Sequence, residues 1–145
     1  MSTPYSHTKL PPAPVLEIQL SAPGDPPGIT KLTALIDTGA DFTIVPLHWL
    51  LDIHAPEARS AYVRGMWSER QLITLYLVDI HLEHGTLPAM EVIGIETDDE
   101  IMNDADIEAD QEQEVILGRN VINLLWLLLE GPRQQTTILE RRPNL

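Results

Sequence analysis

The chain of 145 residues contains no cysteine. Disulfides and thiolate metal sites are therefore excluded, and a reducing compartment, the cytoplasm, is the expected location. Aromatic residues are scarce, with one Phe, three Trp and three Tyr, so a core has to be built from Leu, Ile and Val. Long apolar runs are also missing. The longest, Leu124 to Leu129, is far short of the ~20 residues that cross a bilayer. Met1 to Pro14 lacks the apolar centre of a secretory signal, and no membrane association is expected. Basic residues are few, nine Lys and Arg against 22 Asp and Glu. The net charge of −13 argues against a nucleic-acid partner, which needs a basic footprint.

That charge is local. Ten acidic residues fall between Glu96 and Glu114 with no Lys or Arg among them, which leaves the rest of the chain near −3. Residues 96–114 read as a solvated acidic loop. They lack the spacing and the glycine of an EF-hand loop, so a Ca²⁺ site is not expected. No other metal and no cofactor is expected. His81 and His84 stand three apart, which on a strand points them to opposite sides. His48 and His54 flank a leucine-rich turn and read as surface groups.

The length suits one domain with a real core. Residues 1–14, with four prolines, read as a flexible or extended tail, and residues 15–145 as the domain. Val15 to Leu20 alternates as a first strand. Ala22 to Gly28 is a Pro/Gly turn. Ile29 to Asp37 reads as a second strand and Phe42 to Val45 as a short third. Pro46 suits the start of a brief helix carrying Leu47, Leu50 and Leu51. Ala58 to Arg64 and Arg70 to Leu82 form the arms of a long hairpin. In the second arm Leu72, Thr74, Tyr76, Val78, Ile80 and Leu82 recur with a period of two. Leu87 to Ile95 returns as a strand after a His84-Gly85 turn. Val115 to Asn120 re-enters the core, and Asn120 to Leu125 suggests one or two helical turns. Trp126 to Glu130 and Thr136 to Glu140 make a last hairpin. The Leu124 to Leu129 run is expected in the core, with an interface between two chains as the alternative. The fold class is mostly β with one or two short helices.

One stretch concentrates chemistry. Ala34 to Ile36 delivers Asp37 into a Thr38-Gly39 turn, and apolar Phe42, Ile44 and Val45 follow closely. Glycine permits close backbone approach, and threonine offers a hydroxyl to a neighbouring loop. An isolated aspartate is a weak base at its ordinary pKa of about 3.9. Two aspartates about 3 Å apart share one proton, so one takes a proton from water while the other donates to a carbonyl. The chain holds a single Asp-Thr-Gly, so the second carboxylate has to come from elsewhere. The bland reading makes Asp37 a turn residue at a strand end.

Ala34 to Val45 (ALIDTGADFTIV) resembles the active-site loop of the retropepsins, the retroviral-type aspartic proteases. Val115 to Ile122 (VILGRNVI) resembles that family's second signature, about 80 residues later. A hairpin lies between, where the family keeps its flap. The resemblance spans roughly residues 15–139. It implies a closed β-sheet domain with a flap hairpin, completed as a homodimer, and an aspartic endopeptidase needing no cofactor. Asp37 would be the catalytic aspartate. Thr38 would lock against the partner's loop, and Gly39 would offer its carbonyl to substrate. Ala40 and Asp41 would line the substrate site, and Asp41 would pair with Arg119. Gly118, Arg119 and Asn120 would support the loop. Gly65, Met66 and Trp67 would form the flap tip over a peptide or protein substrate bound in extended form. Trp67 also reads as a loop aromatic or an interface anchor. The Met-Trp tip and the acidic loop depart from the family pattern. One motif in one domain points to a symmetric dimer. The alternative is a non-catalytic peptide-binding or dimerisation module with the same fold.

Overall fold

A computed structural model describes residues 2–64, 69–96 and 114–145. Ten strands and two short helices are found among them: β1 (Ser2–Pro4), β2 (Val15–Ser21), β3 (Leu32–Ile36), β4 (Thr43–Pro46), α1 (Leu47–Asp52), β5 (Glu57–Arg64), β6 (Arg70–Leu82), β7 (Gly85–Ile95), β8 (Val115–Leu117), α2 (Arg119–Ile122), β9 (Trp126–Glu130) and β10 (Gln135–Leu139). No helix of the described residues is long and apolar enough to cross a membrane.

Six strands close on themselves in the order β2-β3-β8-β4-β7-β6 and back to β2, and β5 extends outward from β6. The short strand β8 is the keystone. It runs parallel to β3, Ala34 to Ile36 against Val115 to Leu117, and meets β4 antiparallel at Ile44 and Ile116. The two sequence segments that carry the motifs are therefore neighbours. Every strand of the ring feeds the buried core: Leu16, Ile18, Leu20, Leu32, Ala34, Val45, Val78, Ile80, Val92, Val115 and Leu117. Leu50 of α1 and Val121 of α2 complete it. Burying such a Leu, Ile or Val side chain contributes roughly 1.5–3 kcal/mol, which is why aliphatic β-branched strands suffice without aromatics. A second sheet, β1-β10-β9, is separate from the ring.

Several sequence expectations need correction. Residues 2–14 are docked, with an extended start and a turn between Ser6 and Ala13. Ser2–Pro4 pairs with β10, Ser6 bridges to Ala13, and Lys9 reaches Glu114 at 3.1 Å. The partner strand lies at the far end of the chain, so local composition gives no hint of it. The second strand begins at Leu32 and not at Ile29, which is 99% exposed. The turn takes up the earlier residues, because the Gly28 N–H donates to the Leu20 carbonyl and Gln19 Nε2 to the Gly28 carbonyl. The alternation in β6 holds only in its second half. Val78 and Ile80 are buried, yet Leu72 is exposed and odd-numbered Leu75 is buried. The first half of this long strand pairs with β5 and the second half with β7 and β2, so the buried face changes along it.

The β6–β7 register shifts between Val78 and Ile80. Asp79, 6% exposed, fills the gap: its carboxylate accepts the Ala89 N–H at 2.8 Å and the Gly24 N–H at 2.9 Å. Ala89 adopts the left-handed conformation there, with φ of 49°.

The Leu124 to Leu129 run is not simply core. Leu125 and Leu127 pack against the core, whereas Leu124, Trp126, Leu128 and Leu129 are 44–59% exposed. Among the described residues, only part of this run is covered.

Candidate active site

Strand β3 ends at Ile36, and Asp37 follows as its first unpaired residue. Its N–H donates to the Leu117 carbonyl at 3.1 Å, which fastens the start of the turn to β8. The turn then closes on itself: the Ala40 N–H donates to the Asp37 carbonyl, and the Gly39 N–H donates to Asp37 Oδ1 at 2.9 Å. A Cβ at Gly39 would stand 3.1 Å from Asp37 Oδ1, so a side chain there would crowd the carboxylate. Asp37 is half-buried, while Thr38 and Gly39 project into solvent from the single chain.

The turn is gripped from α2. Arg119 Nη1 donates to the Thr38 carbonyl at 2.8 Å, and Arg119 Nη2 contacts Asp41 Oδ1. The guanidinium is therefore shared between a backbone carbonyl and a carboxylate, and is not bidentate on Asp41. The main chain adds two bonds between the same segments, from the Arg119 N–H to the Ala40 carbonyl at 2.8 Å and from the Asn120 N–H to the Asp41 carbonyl at 3.3 Å. The structure thus brings Asp37, Thr38, Gly39, Ala40, Asp41, Gly118, Arg119 and Asn120 into one cluster. Gly65, Met66 and Trp67 lie outside the described residues.

Gly118 is required by space. A Cβ on it would sit 2.4 Å from the Phe42 carbonyl carbon and 2.5 Å from its oxygen. Two backbones cross there with no room for a methyl group, so any other residue would force α2 away from the loop.

Sequence reasoning missed one participant. Thr43, fully buried in β4, donates its N–H and its hydroxyl to Asn120 Oδ1, at 2.9 and 3.0 Å. Its hydroxyl oxygen accepts the Gly118 N–H at 3.1 Å. Asn120 Nδ2 in turn donates to the Glu91 carbonyl at 2.8 Å, tying the site to β7. The only signal in the sequence was a hydroxyl residue inside the apolar run Phe42 to Val45.

The histidines go elsewhere. His81 Nε2 is 2.7 Å from Ser21 Oγ and His81 Nδ1 is 3.0 Å from Thr86 Oγ1. Ser21 Oγ also donates toward the Ala22 and Asp25 carbonyls, so its oxygen is left to accept from His81 Nε2–H. His84 sits beside Glu83, and His48 and His54 are exposed. Chemically, the loop can offer one well-positioned carboxylate, and it holds a single copy of it.

Among solved structures the chain is similar to EIAV protease complexed with the inhibitor HBY-793, at a TM-score of 0.48 and 18% sequence identity, covering 83% of this chain and 92% of that one. No protein-family model matches the chain. No curated protein sequence matches it.

Proposed function

We propose that this chain is an aspartic endopeptidase of retropepsin type that works as a homodimer. The observation that carries the reading is the position of Asp37. Its carboxylate stands at the end of a strand, with one oxygen held by the Gly39 N–H, in a turn fixed from behind by Arg119. A carboxylate held in this way is preorganised, and preorganisation is what general acid-base work needs.

In the dimer the two Asp37 side chains share one proton. The charged one takes a proton from a water between them, and the water oxygen attacks the substrate carbonyl carbon. The neutral one gives its proton to the carbonyl oxygen. The tetrahedral adduct then collapses: the C–N bond breaks, the leaving nitrogen takes a proton, and the two carboxyls again hold one proton between them. No covalent intermediate forms. Thr38 and Gly39, exposed in one chain, meet the second copy and the substrate backbone respectively. The β5–β6 hairpin serves as the flap, and the substrate lies extended beneath it with its main chain hydrogen-bonded. The absence of cysteine favours action in the cytoplasm.

The test is cleavage of a mixed peptide library by purified protein between acid and neutral pH. Wild type should cleave, and Asp37→Asn should be inactive with its fold and association unchanged. A wild type without activity, or an Asp37→Asn variant that still cleaves, rules the reading out. The first outcome leaves a non-catalytic peptide-binding module.

A further inference from the structure

The β5–β6 hairpin leaves the ring as a two-stranded ribbon. From Arg70 to Thr74, β6 pairs only with β5 among the described residues, and β7 joins its other side from Leu75 onward. Two strands alone have little rigidity, so the ribbon takes its direction from the line where it leaves the third strand. Two features mark that line. Ala58 has no opposite number, because Glu57 pairs with Tyr76 and Arg59 with Leu75. A bulge of this kind bends the strand and re-aims the side chain beside it. That side chain is Arg59. Arg59 lies opposite Leu75 and Glu91 opposite Leu77, so a contact between them has to cross β6. Strands two apart are separated by about 9–10 Å, and Arg59 spans the gap: its Nε donates to Glu91 Oε2 at 2.8 Å.

Glu91 is tied in two directions. Its carboxylate holds β5, and its main-chain carbonyl accepts Asn120 Nδ2 at 2.8 Å. The Asn120 N–H donates to the Asp41 carbonyl, and its side-chain oxygen holds Thr43. One residue of β7 therefore joins the hairpin to the support of the aspartate loop. We infer that the Arg59–Glu91 pair sets the angle of the hairpin over the Asp37 loop, which makes both side chains positioning residues for substrate binding. This rests on the reading of β5–β6 as the flap and adds what aims it. The side chains are 56% and 34% exposed, and an ion pair that open to water adds little to folding. Such a bond suits a hinge, because a ribbon that admits substrate has to move. Without it the ribbon swings more freely, and substrate binding has to order it first. The loss is the same in the ground state and the transition state, so it falls on KM and spares kcat.

A double-mutant cycle on the full chain tests this, with one peptide that wild type cleaves. Arg59→Met keeps the stem across β6 and removes the charge. Glu91→Ala removes the carboxylate and leaves the carbonyl that Asn120 uses. Each variant should raise KM about threefold to fivefold with kcat within about twofold of wild type. The double variant should be no worse than either single one, because the same bond is lost only once. Lys31→Met, which breaks the exposed ion pair with Glu17 beside β2 and β3, should leave KM unchanged. Urea midpoints and light scattering should match wild type throughout. The inference fails, and the peptidase stands, if wild type cleaves and the two single variants keep its KM. It also fails if their effects multiply in the double variant, if kcat falls in place of KM, or if Lys31→Met raises KM as much. Variants that lose stability or association instead would make the pair structural and overturn it too. A wild type that cleaves no peptide removes the peptidase reading and this inference with it.

Discussion

Thr43 and Asn120 are 77 residues apart in the chain, and Asn120 Oδ1 accepts two hydrogen bonds from Thr43, at 2.9 Å from the N–H and 3.0 Å from the hydroxyl. The hydroxyl also accepts the Gly118 N–H, so one oxygen atom links the strand after the aspartate loop to the strand end before α2. Thr43→Val keeps the shape and removes this link. The Gly118 N–H is then left buried without an acceptor, which costs about 1–3 kcal/mol. Urea unfolding should show that loss, and Thr43→Ser, which keeps the hydroxyl, should recover most of it. Equal midpoints for wild type and the valine variant would dismiss the role assigned to this oxygen.

Arg119 separates stability from activity. The side chains of Arg119 and Asp41 are 44% and 71% exposed, and an ion pair that open to water contributes only about 0–1 kcal/mol to folding. Its value lies in geometry. The planar guanidinium reaches the Thr38 carbonyl and the Asp41 carboxylate together, which a lysine ammonium does not replace. Arg119→Lys should therefore unfold within about 1 kcal/mol of wild type. Its peptide cleavage should fall about tenfold or more, the effect of roughly 1.4 kcal/mol of lost positioning in the transition state. Full activity in the lysine variant would mean that the loop holds its shape without the fork.

The contrast between these two residues also explains what was legible in the sequence. Arg119 stood out because it sits in a local pattern, Gly-Arg-Asn after an apolar pair. Thr43 did not, because its importance comes from a partner 77 residues away. Turn residues set off β4, β5 and the last hairpin, and alternation, a local property, located β2 and the extent of β6. It failed where one strand serves two layers, as in β6, and where pairing joins the chain ends, as in β1 with β10. Apolar content alone placed Leu124 to Leu129 in the core. Composition cannot tell a core strand from an edge strand whose outer side is open.

Asp79 should make part of the folded chain's stability sensitive to acid. The Ala89 N–H, then the Gly24 N–H, hold its carboxyl below the ordinary value of 3.8; burial opposes them, and nearby His81 adds to the lowering. A group whose pKa is lower folded than unfolded stabilises the fold fully above the unfolded value, and that contribution disappears as pH falls through the folded value. Asp79→Asn should thus be less stable than wild type at pH 7 and pH 5. The gap should narrow as pH falls below about 3.8, the unfolded value. Urea midpoints of both proteins across that range provide the check. A gap that stays constant down to the lowest pH would show that the charge is irrelevant and only the shape of the side chain matters.

Thr136 invites the same substitution as Thr43 with the opposite result. It lies in β10, opposite Thr3 on one side and Leu129 on the other, and is fully buried. Its hydroxyl has no hydrogen-bond partner among the described residues. A buried hydroxyl without a partner costs about 1–3 kcal/mol of desolvation that nothing returns. Valine has nearly the same shape and nothing to desolvate. Thr136→Val should therefore raise the unfolding midpoint, whereas Thr43→Val should lower it, although both replace one buried threonine in a β-strand. Measuring the two side by side cancels effects common to the exchange, such as strand propensity and the change from hydroxyl to methyl. If Thr136→Val also lowers the midpoint, the hydroxyl has an acceptor in solution, and a buried water between the two sheets becomes the first place to look.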